Sequence, residues 1–394
     1  MSAHVLLAAL DPARNVSRVP IMLRYGGCRV TALCPSDTSL AHSWVIERHV
    51  SVARDETAIV AALRELVTTG QYALTIVADE ALLLALASRL EPWMDGVLPF
   101  AADAATCALV LDKNRMLDTI AARGIAIPPS RIVAAAAELP AAAAEIGYPL
   151  VLKDAVGCGG AGVRRVDAPN ALQAAYASLA PAGDVTVQRF LESRPGCTDV
   201  LFDHGVPRCW TSAHMLGQWP TPLHPATIRR PVSIPGVEAM VRAVGEATKF
   251  HGLGGVDWIV DAGGNAFFLE FNARVTHVVG PARPAFGREL GEMLAGAPPK
   301  PHELLLPQRD IPVFPSHFVR ALKDRRGDLL QWLPFRATSA DLDWNDFGVV
   351  GNELGALAAG ALRRLGGRRA PEAETPESRR PLRTGDAATA PRPR

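Results

Sequence analysis

One short predicted β-strand carries a row of polar residues that could bind a metal ion. Residues 267–274 read Phe-Phe-Leu-Glu-Phe-Asn-Ala-Arg, and side chains two apart on a strand project to the same face. Glu270, Asn272 and Arg274 therefore form one polar row. The intervening residues, predicted to face a core, are Leu269, Phe271 and Ala273. Carboxylate and amide oxygens suit Mg²⁺, and a guanidinium suits developing negative charge. The row predicts a metal-polyphosphate site or, alternatively, the outer face of an amphipathic strand.

A second segment combines a lysine with a glycine-rich loop. Lys153 ends a predicted strand, the sequence Gly-Cys-Gly-Gly-Ala-Gly follows at 157–162, and another strand begins at Val163. The loop glycines are Gly157, Gly159, Gly160 and Gly162. Glycines let backbone N–H groups approach phosphate oxygens closely, so the loop can fold over a nucleotide, with Lys153 reaching a phosphate. No Gly-Lys-Ser/Thr follows, so this is not a Walker A loop. The alternative is a surface hairpin that tolerates glycine.

Two further segments say little when taken alone. Lys113 lies in a predicted helical stretch over residues 101–124, where a lysine is ordinarily solvated. Residues 185–191 predict a strand that runs into a hinge, where backbone groups can bond an adenine edge. An ordinary core strand is the alternative for that second segment.

The first hundred residues predict a parallel sheet. Strands are expected over 5–10, 29–33 and 74–78, and helices over 14–25, 56–69 and 80–90. Short apolar strands alternating with helices are typical of a parallel sheet with crossover helices. No Gly-x-Gly-x-x-Gly follows the first strand, so we expect a Rossmann-like shape without a dinucleotide site. The length of 394 residues favours two or three domains.

Composition excludes several classes of protein. A net charge of +1 and 48% hydrophobic residues favour a soluble globular protein and give no reason to expect nucleic-acid or membrane partners. The six cysteines lack zinc spacing, and scattered thiols fit a reducing cytoplasm. We also expect no secretory signal peptide, because the first residues lack a basic region. Residues after 370 contain almost no large apolar residue and predict a disordered tail.

The order of these four signals along residues 100–290 resembles the ATP-grasp superfamily, in particular its carboxylate-amine ligases. The preceding α/β segment resembles the domain that usually comes before this fold. The resemblance implies an α/β and α+β protein, in which a Rossmann-like domain is followed by two subdomains that hold ATP between them. The implied boundaries are 1–105 for the first domain, 106–300 for the ATP-grasp core with a lid at about 126–187, 301–369 for its C-terminal completion, and 370–394 for the tail.

The resemblance also implies roles for individual residues. The implied ATP contacts are Lys113, Lys153, the four loop glycines, Gln188, Arg189, Leu191 and Asp199. The implied metal ligands for Mg²⁺, or alternatively Mn²⁺, are Asp257, Glu270 and Asn272. Arg274 matches the basic residue that stabilises an acyl phosphate or the intermediate that follows it.

Three positions depart from the family pattern. Asp154 follows the strand lysine where proline is common, and Gln188 replaces a glutamate in the hinge. Asp199 comes three positions after Gly196, whereas the ribose-binding acid usually comes two positions after a glycine. The second and third departures weaken the adenine and ribose assignments.

We predict substrate contacts mainly from a long connecting segment that contains several prolines. Arg229 and Arg230 can clamp a substrate carboxylate, or they are ordinary surface arginines. Other residues that could line the substrate pocket are Trp219, His224, Thr276 and His277.

The implied activity is an ADP-forming ligase that joins a small carboxylate to an amine through an acyl phosphate, and the resemblance leaves a homodimer open. One rival is a biotin-carboxylase-like enzyme, disfavoured because no glutamate closely follows Arg274. A rival of another class is a non-catalytic ATP-binding regulatory module.

Overall fold

In the computed structural model, which describes residues 2–154, 162–181, 183–218, 226–276, 280–323 and 343–365, the chain begins with alternating strands and helices. The strands are β1 (His4–Ala8), β2 (Arg29–Cys34), β3 (Arg48–Ser51) and β4 (Leu74–Val77). The helices are α1 (Val19–Tyr25), α2 (Glu56–Thr69) and α3 (Glu80–Ala87). The strands are parallel in the order β3-β2-β1-β4, which confirms the predicted sheet. The partly exposed edge strand β3 has no counterpart among the predicted strands.

Two helices replace the one that the sequence predicts over residues 101–124. They are α4 (Ala104–Leu111) and α5 (Lys113–Ala121). Asp112 separates them because its backbone is extended and its carboxylate accepts from the N–H groups of Asn114 and Arg115, at 2.9 and 3.2 Å. An aspartate in this position caps a new helix. Lys113 therefore lies at the first position of α5, at the head of the helix that leads to Gly124.

A small antiparallel sheet follows these two helices. Its strands are β5 (Ser130–Val133), β6 (Leu150–Asp154), β7 (Val163–Val166) and β8 (Val185–Arg189), in the order β5-β8-β6-β7. Its helices are α6 (Leu139–Ile146) and α7 (Leu172–Leu179). Both helices pack their apolar sides on this sheet and form a separate hydrophobic core that includes Leu139, Leu152 and Val187.

A seven-stranded sheet occupies the centre of the chain. Its strands are β9 (Ser193–Asp203), β10 (Val206–Leu216), β11 (Ile228–Val232), β12 (Gly252–Asp261), β13 (Ala266–Asn272), β14 (His302–Glu303) and β15 (Ile311–Pro312). The order is β13-β12-β9-β10-β11-β15, with β14 beside β10. The remaining helices are α8 (Val237–Thr248), α9 (Arg283–Leu294), α10 (Ser316–Lys323) and α11 (Phe347–Leu365). Short hairpin turns at residues 203–205 and 261–265 join β9 to β10 and β12 to β13, respectively.

Close packing fixes the large sheet and the N-terminal domain. The fully buried Trp258 ring covers Gly196, where an added Cβ would lie 2.1 Å from the ring. Helices α1 and α9 meet at glycines, and a Cβ on Gly287 would lie 2.1 Å from the carbonyl oxygen of Met22. A larger residue at Gly196 would displace the Trp258 ring, and one at Gly287 would require the backbone of α1 to move.

Residues Met1–Gly351 and Asn352–Arg394 are two separate compact units. No helix within the described ranges is long and apolar enough to cross a membrane. The predicted disordered tail after residue 370 lies outside the described residues.

Candidate functional site

The predicted polar row lies on β13 and faces a carboxylate on β12. Glu270 pairs with Asp257 across the two strands, and Asn272 pairs with Gly255. The Asn272 Nδ2 group donates a hydrogen bond to Asp257 Oδ2 at 3.2 Å. The nitrogen of that amide faces Asp257, and its oxygen is an acceptor that a metal ion can use. Three side chains that carry oxygen atoms able to bind a metal ion therefore lie close together on one face of the sheet.

A β-bulge changes the prediction for Leu269. Asp257 pairs with Glu270, but the next residue, Trp258, pairs with Phe268, so Leu269 is the extra residue on β13. Phe268, Phe271 and Ala273 are buried, whereas Leu269 is only partly buried. The expectation that Leu269 faces the core is therefore wrong. The bulge interrupts the strict alternation on which that expectation rested.

Two lysines from different elements reach this carboxylate pair. Lys113, at the start of α5, places its Nζ 2.7 Å from Glu270 Oε2. Lys153 lies on β6 of the small sheet, and Glu270 and Asp257 both act on its charge. Burial is the main reason why the pKa of Lys153 is lowered to about 8; the neighbouring Lys113 also lowers it, and Glu270 and Asp257 oppose the shift. The site thus lies between the small and the large sheet.

The two carboxylates titrate differently because they have different neighbours. Burial and the adjacent Glu270 carboxylate raise the pKa of Asp257. Burial disfavours ionised Glu270, but Lys113, Lys153 and a hydrogen bond with Asp257 together outweigh that effect and lower the pKa of Glu270. Close carboxylates resist ionising together unless a cation lies near them. Lys113 supplies such a cation to Glu270, whereas the pKa of Asp257 beside it stays raised.

The N-terminal domain positions the predicted catalytic arginine. Arg274 Nε lies 3.6 Å from Glu80 Oε2, at the start of α3. Asn15 Nδ2 donates to the carbonyl oxygens of Val275 and Thr276, at 3.0 and 3.1 Å. These two contacts hold the segment after β13 against the first domain. Sequence reasoning missed both residues, although the acidic start of α3 directly follows β4 at the carboxyl edge of a parallel sheet, where sites commonly form.

Asn114 is a third residue that sequence reasoning missed. The Thr186 hydroxyl donates a hydrogen bond to Asn114 Oδ1, and both residues are buried. Thr186 pairs with Lys153 across β8 and β6. The neighbours Lys113 and Asn114 therefore contact the large and the small sheet, respectively.

The predicted hinge residues lie at the end of the small sheet. Gln188 is buried on β8, and within the described part of the chain its Nε2 has no hydrogen-bond partner. Arg189 donates from Nη1 to the Ile146 carbonyl oxygen at 2.8 Å, so its side chain is committed to the end of α6. Leu191 is partly buried, and its carbonyl oxygen accepts from the Ser193 hydroxyl at 2.9 Å. Gln188 is the hinge side chain with an unused buried donor.

Only the last glycine of the predicted flap is described. Gly162 accepts a hydrogen bond from the Asp154 N–H at 3.0 Å, which closes the base of the loop. Gly157, Gly159 and Gly160 lie outside the described residues, as do Trp219, His224 and His277.

Asp199 is buried in the large sheet. It lies beside Gly255 on β12 and accepts a hydrogen bond from the Thr276 hydroxyl at 2.6 Å. Cys197, two residues earlier, pairs with Asp257, and its thiol bonds that carboxylate. Burial raises the pKa of Cys197 well above its usual value, so its thiol is a neutral neighbour of the site. A ribose contact for Asp199 stays a prediction.

The two predicted substrate arginines are not brought together. Arg229 is 4% exposed, and its charge acts on the Cys197 thiol. Arg230, the next residue on β11, is half exposed and forms a two-point ion pair with Asp310, at 2.7 and 3.2 Å. Adjacent residues on a strand face opposite sides of a sheet, so they cannot form one clamp. The role of each arginine stays a prediction.

Comparison with known proteins agrees with this arrangement. Residues 110–278 match the family model described as an ATP-grasp domain. The chain therefore carries an ATP-grasp domain, preceded by a domain with a parallel sheet. Its overall structure is similar to that of N5-carboxyaminoimidazole synthetase from Staphylococcus aureus complexed with ADP, with a TM-score of 0.64. The superposition covers 84% of this chain and 87% of that one at 15% sequence identity, so the similarity establishes the fold alone.

Two curated proteins are similar in sequence over part of the chain. Biotin carboxylase 2 from Bacillus subtilis is 27% identical over 151 residues, which is 34% of this chain and 33% of that protein. D-alanine–D-alanine ligase from Geobacter sulfurreducens is 28% identical over 179 residues, which is 42% of this chain and 55% of that protein. The chain thus matches between a third and about half of the length of these relatives.

Proposed function

We propose that this protein is an ADP-forming ligase that uses ATP and Mg²⁺ to activate a small carboxylic acid as an acyl phosphate and couples it to an amine. The observation that carries the proposal is the convergence of Asp257, Glu270 and Asn272 with Lys113 and Lys153 between two sheets. A regulatory ATP-binding module would not need this concentration of metal-binding oxygens. The proteins to which the chain is similar include ligases and a carboxylase.

The residues present fit both Mg²⁺ and a nucleotide. Asp257, Glu270 and the oxygen of Asn272 are hard donors of the kind that Mg²⁺ prefers, and the raised pKa of Asp257 reflects a demand for a nearby cation. The buried donor on Gln188 offers a hydrogen bond to an adenine ring. When bound, the metal would neutralise the phosphate charge during transfer.

The protein's own residues would then align two anions. Lys113 and Lys153 would hold the phosphates of ATP, and an oxygen of the substrate carboxylate would attack the γ-phosphorus as ADP leaves. The amine would next attack the carbonyl carbon of the acyl phosphate, and inorganic phosphate would leave. Arg274, held by Glu80, would stabilise the negative charge that forms on that carbonyl oxygen. Arg229 is proposed to contact the acid.

The proposed substrates are small molecules. Five described cysteines are free and buried, which supports a reducing, cytoplasmic setting. The assembly that we propose is a homodimer. Size-exclusion chromatography with light scattering would measure its mass in solution.

The test is product analysis with ATP, Mg²⁺ and mixed acids and amines. We expect release of ADP and phosphate together with a new amide, and Mn²⁺ as an alternative metal. Glu270→Gln should lower turnover by about 100-fold or more, since it removes a charged metal ligand. Glu238→Gln is the matched control, because Glu238 is exposed on α8 and pairs only locally with Arg242. Formation of AMP and pyrophosphate would exclude an acyl phosphate.

A second candidate is carboxyphosphate formation from bicarbonate, which the partial match to biotin carboxylase 2 favours. In that case ADP release should depend on bicarbonate and persist without any other acid. If wild-type protein binds ATP but neither set of substrates supports turnover above that of Glu270→Gln, the regulatory module becomes the better explanation.

A further inference from the structure

A cluster of metal-binding residue types lies at the turn between β9 and β10. Asp203, His204 and His251 each place a ligand atom within 4.8 Å of the others. Asp203 is six residues beyond Cys197 on β9. At about 3.3 Å per residue, the cluster is roughly 20 Å from the row of Asp257 and Glu270. It is therefore separate from the ATP-grasp site.

The backbone holds the two segments of the cluster together. The Gly205 N–H donates to the carbonyl oxygen of Phe250 at 2.7 Å, which joins the turn to the segment before β12. The His251 N–H donates to the Pro99 carbonyl oxygen, also at 2.7 Å. The rings of His204 and His251 stack with their centroids 4.1 Å apart and their planes 13° apart. Binding a metal here would order little additional backbone.

The carboxylate of Asp203 is oriented toward the imidazoles. Its Oδ2 lies 3.3 Å from Nη1 of Arg208, which is 1% exposed and also donates to the Ala297 carbonyl oxygen at 2.7 Å. Its other oxygen, Oδ1, lies 3.6 Å from His251 Nδ1. A buried partner that fixes one oxygen and directs the other inward is typical of carboxylates that bind metals.

We propose that Asp203, His204 and His251 bind a divalent cation of the Zn²⁺ class. Two imidazoles and one carboxylate select borderline metals over Mg²⁺, and three protein ligands leave one position for water. A tetrahedral site with Zn–N distances of about 2.0 Å needs ligand atoms about 3.3 Å apart. The observed spread is wider, and the exposed His204 side chain can close it by rotating. The inference does not depend on the proposed ligase activity.

The test is Zn²⁺ titration of tag-free, EDTA-treated full-length protein by calorimetry, with no nucleotide or Mg²⁺ present. We expect the wild-type protein to bind one equivalent of Zn²⁺. His204→Ala and His251→Gln should each abolish this binding or weaken it by a factor of about 10 or more. His42→Ala is the matched control, because it removes another exposed imidazole remote from the cluster in sequence. Zn²⁺ should also raise the Tm of wild type and of His42→Ala, but not that of His204→Ala.

A second measurement identifies the ligands. Co²⁺ bound at this site should give visible bands without the intense near-ultraviolet absorption of a thiolate ligand, because no cysteine belongs to the cluster. The proposal is overturned if wild-type protein takes up no equivalent, if His204→Ala retains the same affinity, or if the bound Co²⁺ shows thiolate absorption. The His204 side chain is exposed but its backbone is left-handed, with a φ of 46°, so the circular dichroism spectrum and the Tm of His204→Ala in EDTA are measured to check that the turn is retained.

Discussion

The Lys113 ammonium lies 2.7 Å from Glu270 Oε2 and so joins the first turn of α5 to β13. Burial opposes the charged form of Lys113, but Glu270, with smaller contributions from Glu80 and Asp257, outweighs it and raises the pKa of this lysine. In this arrangement the lysine supplies positive charge to a carboxylate that we assign to the metal. Binding of Mg²⁺ would free the ammonium to contact phosphate.

Replacing Lys113 should therefore affect ATP use more than folding. We expect Lys113→Met to lower kcat/KM for ATP by roughly 10- to 100-fold, because a hydrogen bond to a charged group contributes about 1.5–3 kcal/mol. Initial rates of ADP release over a range of ATP concentrations provide the measurement. Lys300→Met, at an exposed position, should leave these rates unchanged. Equal rates for Lys113→Met and wild type would remove this lysine from the site.

Asp257 should make the metal-free protein less stable as the pH rises. Its pKa is raised in the folded state, so the folded protein binds more protons than the unfolded chain above the ordinary value of 3.8. Stability from this group is full below that value and is lost as pH rises through the raised pKa. Asp257→Asn mimics the neutral form, and we expect it to be more stable than wild type at pH 8 by about 1–3 kcal/mol.

Urea unfolding in EDTA at pH 5 and pH 8 measures this difference, which should shrink at the lower pH. Asp261→Asn is a control of opposite sign, since hydrogen bonds from Asn265 lower the pKa of exposed Asp261. That variant should gain no stability at pH 8. A gain for Asp257→Asn that is the same at both pH values would contradict the titration argument. Mg²⁺ and ATP should stabilise wild type but not Asp257→Asn.

The secondary-structure elements could be predicted from the sequence better than the contacts between them. The polar row on β13 follows from strand alternation, and the N-terminal parallel sheet follows from apolar periodicity. The bulge at Leu269 could not be predicted, because its cause lies in the pairing with Trp258 on another strand. The contact between Glu80 and Arg274 spans nearly two hundred residues, and no local pattern encodes it. Similarly, Arg229 and Arg230 look equivalent in sequence until strand geometry separates them.

Arg229 and Arg230 form a natural pair of variants. We expect Arg229→Gln to lower kcat/KM for the carboxylic acid by about 10-fold or more with little change in the KM for ATP, because it would lose a charged contact to the acid. Arg230→Gln should leave both values unchanged, since that exposed side chain pairs with Asp310. Because Arg229 is buried, the Tm of Arg229→Gln is measured to show whether the substitution destabilises the fold. Equal effects of the two substitutions would argue against a substrate role for Arg229.

The hydrogen bond between Thr186 and Asn114 should set the position of the small sheet. Thr186→Val leaves the buried Asn114 oxygen without its donor, so we expect a loss of about 1–3 kcal/mol in the free energy of unfolding. Since Thr186 pairs with Lys153, the KM for ATP should rise as well. Thr186→Ser retains the hydroxyl and should recover both properties. Additive effects of Thr186→Val and Asn114→Leu in a double-mutant cycle would show that the two residues act independently.

The contact between α1 and α9 predicts a stability difference between two helical glycines. A Cβ at Gly287 would lie 2.1 Å from the carbonyl oxygen of Met22, which is backbone and cannot move aside without shifting α1. We expect Gly287→Ala to cost about 1–3 kcal/mol through overpacking. Gly351→Ala, on α11 with open space around its Cα, should be neutral or stabilising by about 0.5–1 kcal/mol, since alanine favours helices. Urea unfolding at pH 7 compares the two. Equal stability of both variants would mean that α1 and α9 do not pack as closely as described.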